Sequence, residues 1–134
     1  MTQALTITDL AFTYVGRSQP TINHVHLSLR AGEIVLIAGA TGSGKSTLLN
    51  CLAGISPLHT GGHLSGEIRA NGESLLTWTV QQRSRILGVV LQNVETQIFT
   101  DQVSEELAFG LENLNLPPTQ IQLLTETALQ EFSL

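Results

Sequence analysis

Residues 39 to 47 read Gly-Ala-Thr-Gly-Ser-Gly-Lys-Ser-Thr, which fits the phosphate-binding pattern G-x-x-x-x-G-K-[ST]. In this pattern the glycines let backbone N–H groups turn towards phosphate oxygens, and the helix that begins at the loop adds the positive end of its dipole. Lys45, the only lysine in the chain, brings a charge to the β- and γ-phosphates. The Ser46 hydroxyl is a ligand for Mg²⁺. The residues predicted to bind the triphosphate are Gly39, Gly42, Ser43, Gly44, Lys45, Ser46 and Thr47.

The residues on both sides of this loop have the character that it requires. Residues 33–38 form a short apolar run rich in branched side chains, which suits a buried parallel strand. After the loop, Leu48, Leu49 and Leu52 fall on one helical face, and Gly54 stands where a C-terminal cap is expected. The order of strand, loop and helix favours a phosphate site over a glycine-rich surface turn that carries a lysine by chance.

Composition and charge narrow the class of protein. The 134 residues are enough for one domain with a hydrophobic core. The formal net charge of −5 and the scattered basic residues disfavour a nucleic-acid surface or a polybasic membrane anchor. No apolar run approaches the roughly 20 residues that span a bilayer, and no signal peptide is visible. The single cysteine, Cys51, excludes an internal disulfide and favours a reducing, cytosolic setting.

Four further segments have strand character, and they are residues 5–14, 25–30, 67–76 and 86–91. In the first, regular alternation places Ile7 and Leu10 on opposite sides of the strand. In the third, Asn71-Gly72 predicts a type I′ hairpin turn. The fourth is an apolar run that suits a buried strand.

Two helices are predicted at the end of the chain. The first covers residues 103–114, with Thr100 or Asp101 as its cap and acidic side chains in its first turn. Pro118 opens the second helix, which is expected to run to the last residue. Its predicted apolar face consists of Ile121, Leu124, Ala128 and Phe132.

Several of these segments together carry a family resemblance. They are Phe12-Thr13-Tyr14, the loop at 39–47, the run Thr-Gly-Gly-His-Leu-Ser-Gly-Glu-Ile at 60–68, the run Val-Leu-Gln-Asn-Val-Glu-Thr-Gln-Ile-Phe at 90–99, and the run Val-Ser-Glu-Glu-Leu-Ala-Phe-Gly at 103–110. In their order over essentially the whole chain, they resemble the ATP-binding subunits of ABC transporters. More narrowly, the sequence is similar to the ATPases of energy-coupling-factor importers, which take up vitamins and cobalt or nickel ions. One departure is Val94, where the family usually has proline.

The resemblance implies an α/β P-loop NTPase fold of the ABC type. Its parts would be a mainly parallel core sheet, an antiparallel β subdomain, and the start of a helical subdomain at about residues 100–134. The whole chain, 1–134, would be a single incomplete ATP-binding domain. The resemblance also implies that Tyr14 stacks on adenine, and that Gln92 is the Q-loop glutamine, which coordinates Mg²⁺ and orients the attacking water.

The resemblance further implies partners and a location. The segment Gln92–Gly110 would face a transmembrane transporter subunit, and a second ATP-binding domain would complete the ATP sites. Such an ATPase works at the inner face of the plasma membrane. The family's signature motif, Walker B strand and switch histidine are absent after Gln92. We therefore expect the chain to be the N-terminal part of a longer ATPase and to lack turnover by itself.

The residues alone leave several alternatives open. Tyr14 could be an ordinary strand-end aromatic, and Gln92 could be a turn glutamine. His59 and His63 are spaced like a metal pair, although a flexible loop is favoured because no carboxylate or cysteine neighbours them in sequence. Two other functional classes remain, a catalytically inactive nucleotide-binding fragment and a P-loop ATPase that acts on DNA. The transported substrate and the direction of transport are not indicated.

Overall fold

The computed structural model describes residues 3–134, which fall into two compact units divided between Leu87 and Gly88. The first unit contains β1 (Gln3–Thr13), β2 (Ile22–Arg30), α1 (Lys45–Ala53), β3 (His63–Ala70), β4 (Glu73–Ser74) and α2 (Val80–Ser84). The second contains a 3-10 helix (Val94–Gln97), α3 (Val103–Asn113) and α4 (Pro118–Phe132).

The sheet of the first unit is antiparallel throughout, with the strand order β2-β1-β3-β4 in the described residues. The turn between β3 and β4 has φ values of 49° at Asn71 and 86° at Gly72. A type I′ turn requires positive φ at both central residues. The predicted hairpin and the predicted antiparallel β subdomain are therefore confirmed.

The central strand β1 contains a bulge that the sequence pattern does not reveal. Asp9 has a φ of 51°, and the pairing register shifts between Ile7 and Leu10 on the β2 side and between Thr8 and Ala11 on the β3 side. A bulge adds one residue to the alternation of side chains. Ile7 and Leu10 consequently both enter the buried core, and the prediction that they face opposite ways is wrong.

Helix α1 follows the phosphate-binding loop and packs one face into the core of this unit. Leu48 and Cys51 are buried, and the buried core cluster comprises Leu5, Ile7, Leu10, Phe12, Ile22, Leu48, Cys51, Ile68, Ala70 and Leu75. Leu49, predicted on the same helical face as Leu48 and Leu52, is 47% exposed. The helix ends at Gly54 with a φ of 81°, and the Gly54 N–H donates to the Cys51 carbonyl, as expected for a C-terminal glycine cap.

The two segments predicted as buried parallel strands have no strand partner within residues 3–134. Residues 33–40 and 87–91 form no regular secondary structure, and Ile34 and Leu36 are 96% and 89% exposed. A buried parallel strand needs neighbouring strands to pair its backbone groups and helices to cover both faces of the sheet. The strands that are present pair with one another in the antiparallel sheet. The predicted parallel core sheet is therefore not formed by the described residues.

The second unit contains both predicted helices, with different details at their ends and faces. Pro118 is the first residue of α4, as predicted. Helix α3 has Gln102 at its N-cap position, and neither Thr100 nor Asp101 occupies it. Instead the Glu106 carboxylate accepts hydrogen bonds from the N–H groups of Phe99 and Thr100 and from the Thr100 hydroxyl. The predicted cap is therefore wrong, because the carboxylate binds the preceding backbone.

The buried position of α4 also differs from the prediction. Thr125 is the buried residue of this helix, while Leu124 and Phe132, assigned to the apolar face, are exposed. No helix within residues 3–134 has the length and apolar character that a membrane span needs.

Candidate phosphate-binding site

The glycine-rich loop meets α1 at Gly44, where the backbone conformation excludes a side chain. Gly44 has a φ of 92°, and a Cβ atom there would lie 2.7 Å from Ile22 Cγ2 and 2.9 Å from the Thr21 carbonyl oxygen. Gly44 is also the N-cap residue and has no side chain to satisfy the first-turn N–H groups of α1. These N–H groups and the positive end of the helix dipole are therefore available to an anion.

The Lys45 side chain folds back over the loop. Its Nζ atom donates hydrogen bonds to the carbonyl oxygens of Gly39 (2.7 Å) and Ala40 (2.8 Å) and to Ser43 Oγ (3.3 Å). The ammonium group is thus held by oxygen acceptors alone, and phosphate oxygens are acceptors of the same kind. This places the chain's only lysine within the loop, as the motif predicts.

A cavity of about 220 Å³ lies at the start of α1, and it is lined by Thr21 and the loop residues Gly42, Ser43, Gly44, Lys45, Ser46 and Thr47. A second cavity of about 510 Å³ is lined by residues 16–21 and Gly42. Because the two cavities share Thr21 and Gly42, they adjoin. The polar backbone and hydroxyl groups of the smaller cavity are of the kind that bind a triphosphate and its cation, and Tyr14 lines neither cavity.

The predicted adenine platform lies beside this loop. The Tyr14 hydroxyl is 3.1 Å from Thr47 Oγ1. The Tyr14 ring also meets the Phe12 ring edge to face, with centroids 4.8 Å apart and an interplanar angle of 84°. The fold therefore brings Tyr14 to the last residue of the phosphate-binding loop, although the two are far apart in sequence. Its role in stacking on adenine stays a prediction.

Gln92 belongs to the second unit, where it is exposed in a bend before the 3-10 helix. The backbone that leads into it is held by Gln97. Gln97 Oε1 accepts from the Leu91 N–H (2.7 Å), and Gln97 Nε2 donates to the Val89 carbonyl (3.4 Å). Gln97 was not singled out from the sequence, and the role of Gln92 as a Mg²⁺ ligand stays a prediction.

Arg83 is a second residue that the sequence did not single out. It is buried, and its guanidinium donates to the carbonyl oxygens of Cys51 (2.9 Å) and Leu52 (2.9 Å) at the end of α1, and of Leu75 (2.6 Å). Burial lowers the pKa of this guanidinium and raises the pKa of the Cys51 thiol to about 11. A cation at the C-terminus of α1 complements the helix dipole, so Arg83 fixes the far end of the helix that carries the loop.

The histidines considered as a metal pair occupy different elements. His59 lies in the turns after α1, and His63 begins β3. Within residues 3–134 no group of three or more His, Cys, Asp and Glu side chains is arranged to hold a metal ion. The structure therefore adds no further metal ligand to His59 and His63.

A glycine-rich loop that opens a helix and carries its lysine over the loop defines the P-loop NTPase fold. A family model described as ABC transporter matches residues 22–134, and the chain belongs to this family. It is similar to cbiO1 from Clostridium perfringens, a solved structure described as part of the ABC transporter complex cbiONQ. The two chains are 24% identical with a TM-score of 0.74 over 97% of this chain and 50% of the other, which shows the shared fold.

Curated relatives are named putative ABC transporter ATP-binding proteins. One from Methanosarcina acetivorans is 46% identical over 124 residues, which is 92% of this chain and 19% of the relative. Another from Streptomyces coelicolor is 36% identical over 94% of this chain and 22% of the relative. The chain thus spans about a fifth of the length of the curated relatives it matches.

Proposed function

We propose that this chain supplies an ATP-binding part of an ABC-type membrane transporter, in which MgATP binding and hydrolysis drive the import of a small solute or metal ion. The observation that carries the proposal is the loop at Gly39–Thr47, with Lys45 bound to oxygen acceptors and the α1 N–H groups uncapped. Family membership supports transport as the process that uses the nucleotide.

Each residue of the site has a chemical role in this proposal. Lys45 and the backbone N–H groups of residues 42–47 bind the phosphates, since both are donors matched to anionic oxygens. The Ser46 hydroxyl holds Mg²⁺, which neutralises phosphate charge when bound. The Tyr14 ring packs on adenine. For the complete enzyme, Gln92 is proposed as the Q-loop glutamine, a Mg²⁺ ligand that orients the attacking water.

The segment Gln92–Gly110 is proposed to contact a transmembrane subunit. Several of its apolar side chains are exposed, namely Val94, Ile98, Phe99, Val103 and Phe109. The Phe99 and Phe109 rings form a pair with centroids 5.3 Å apart, and Phe99 is 71% exposed. Exposed apolar groups at this density are typical of a surface that a partner covers. The partner would hold the protein at the cytoplasmic face of the membrane, and a second ATP-binding domain would complete the sites.

The test is a titration of the chain with a fluorescent ATP analogue in Mg²⁺, with Lys45→Ala as the variant. Losing a charge-assisted contact to phosphate costs about 2–3 kcal/mol, so the variant should bind at least about thirtyfold more weakly. Arg85→Ala is the matched control, because Arg85 is an exposed cation outside the loop. Equal affinity in wild type and Lys45→Ala would show that the loop is not the phosphate site.

A second part of the proposal concerns turnover. No apolar stretch ending in two acids follows Gln92, and all four histidines precede it in the sequence. Hydrolysis depends on groups that position water and stabilise the charge of the departing phosphoryl group. We therefore propose that the 134 residues bind MgATP without hydrolysing it. Phosphate release above the level of Lys45→Ala would contradict this.

A further inference from the structure

The Tyr14 side chain is held at two points, which is more than a stacking platform requires. One edge contact with Phe12 fixes the plane of the ring, and the hydroxyl is anchored 3.1 Å from Thr47 Oγ1. Phe12 is fully buried in the core and cannot move freely. These two contacts restrict the orientation of the half-buried Tyr14 ring relative to β1, which ends at the preceding residue.

Thr47, the partner of the Tyr14 hydroxyl, is held by the helix that follows the loop. It lies in the first turn of α1, is 7% exposed, and lines the cavity at the phosphate-binding loop. In a helix threonine divides between two χ1 rotamers, and the Thr47 hydroxyl adopts the one that places Oγ1 3.1 Å from the Tyr14 hydroxyl. The Tyr14–Thr47 hydrogen bond therefore joins the strand end near the proposed base site to the helix that begins at the proposed phosphate site.

We propose that the Tyr14 and Thr47 hydroxyls form a linkage that sets the distance and angle between the base platform and the phosphate-binding loop. Tyr14 then acts as a positioning residue through its hydroxyl, in addition to any packing of its ring, and the ligand class is an adenine nucleoside triphosphate. This inference rests on the proposed function.

A linkage of this kind favours ligands that use both ends of the site. A nucleoside triphosphate joins its base to its phosphates covalently, so it gains when the two subsites are already at the matching separation. Inorganic triphosphate uses only the loop and gains nothing from an oriented ring. Loss of the Tyr14 hydroxyl should therefore lower affinity for ATP and leave affinity for inorganic triphosphate unchanged.

The experiment is a double-mutant cycle with Tyr14→Phe, Thr47→Val and the double variant. Affinity is measured by displacement of a fluorescent ATP analogue with ATP and, separately, with inorganic triphosphate. Removing one neutral hydrogen bond should weaken ATP about 2- to 10-fold in Tyr14→Phe, with less than a twofold change for triphosphate. The double variant should bind ATP no more weakly than Thr47→Val, because coupled residues are non-additive.

Two controls separate this role from stability. Thr47→Ser keeps the hydroxyl, so it should bind ATP more tightly than Thr47→Val does. Thr127→Val removes a threonine hydroxyl that donates to the Leu123 carbonyl within α4, and it should leave ATP affinity unchanged. Thermal unfolding of every variant is followed by circular dichroism, so that affinities are compared only between folded proteins.

The outcomes distinguish the linkage from the function on which it rests. Wild type that fails to bind ATP overturns the proposed function and the linkage together. Wild type that binds, with Tyr14→Phe unchanged or with independent effects in the cycle, overturns the linkage alone. Equal losses for ATP and triphosphate in Tyr14→Phe also overturn it, because the hydroxyl would then act on the loop and not on the base platform.

Discussion

Replacing Arg83 with methionine should destabilise the first unit more than any other single charge removal in it. The buried guanidinium donates to three carbonyl oxygens within 2.9 Å, belonging to Cys51, Leu52 and Leu75. A hydrogen bond from a charged group is worth about 1.5–3 kcal/mol, and each orphaned buried carbonyl carries a desolvation cost. Part of this gain is offset by the desolvation of the cation, which also lowers the pKa of Arg83.

The net loss expected for Arg83→Met is about 3–5 kcal/mol, since methionine fills the space of the aliphatic stem but restores no donor. The stability of Arg83→Lys should lie between those of Arg83→Met and wild type. A lysine keeps the charge, but its ammonium group lacks the fork geometry with which a guanidinium reaches three carbonyls. The assay is urea unfolding followed by circular dichroism. With a slope of about 1–3 kcal/mol/M, such a loss moves the midpoint by more than about 1 M urea.

Arg85→Met is the matched control for this prediction. Arg85 lies two residues further along and is exposed, so its replacement should change stability by less than about 0.5 kcal/mol. A difference between the two variants below about 0.5 kcal/mol would refute the reasoning. It would mean that the three carbonyls find water or other donors without the guanidinium.

Two further predictions concern a leucine and a carboxylate. Leu36 is 89% exposed and Leu75 is fully buried, so Leu36→Ala should cost less than about 0.5 kcal/mol in urea unfolding where Leu75→Ala costs about 2–5 kcal/mol. Similar losses of stability in the two variants would show that Leu36 is buried, as the predicted strand requires. The pKa of the Glu106 carboxyl is lowered from 4.5, and the largest cause is the hydrogen bond from the Phe99 N–H. The ionised carboxylate therefore stabilises the fold above the unfolded pKa, and this stabilisation is lost as the pH falls through the lower folded pKa. Between about pH 6 and pH 3 the urea midpoint of Glu106→Gln should therefore fall less than that of wild type. The Glu105→Gln control should behave like wild type. An equal fall in Glu106→Gln and wild type would contradict the role of the Glu106 carboxylate.

The parts of the fold that local sequence determines were predicted correctly. Asn71-Gly72 specifies its turn because few other dipeptides tolerate positive φ at both positions, and Gly54 ends α1 for the same reason. The glycine-rich loop and the start of α1 are also local, since the glycines, the lysine and the helix start are adjacent in the chain, while phosphate binding there stays a prediction. These features need no knowledge of distant residues.

The bulge at Asp9 could not be predicted, because distant partners stabilise it. Its carboxylate pairs with His24 Nδ1 on β2, and its N–H donates to His26 Nδ1. The register of β1 thus depends on side chains of another strand, and alternation within residues 5–14 carries no signal of it.

The apolar runs at 33–38 and 86–91 show the limit of hydrophobic patterning. Such a run indicates that a segment is suited to burial, but burial also needs neighbouring strands. Within residues 3–134 no strand pairs with either run, so most of their large apolar side chains stay exposed, while Leu87 packs partly against the core. The Arg83 contacts and the Tyr14–Thr47 bond were missed for a related reason, because each joins residues that only tertiary packing brings together.

Cys51 offers a direct measure of how firmly α1 is held, and its labelling should depend on nucleotide. The thiol is fully buried, and burial raises its pKa from 9.0 to about 11. At pH 8 that shift lowers the thiolate fraction about a hundredfold, so a disulfide reagent should label the folded chain slowly and the urea-unfolded chain at once.

If labelling requires α1 to open, MgATP at ten times its dissociation constant should slow it about tenfold, because ligand binds only the closed form. Arg83→Met should accelerate it, since the same guanidinium holds the Cys51 carbonyl. Labelling of the folded chain at the rate seen in urea, or a rate indifferent to MgATP in a chain that binds it, would show that the thiol is reached without opening the helix that carries the loop.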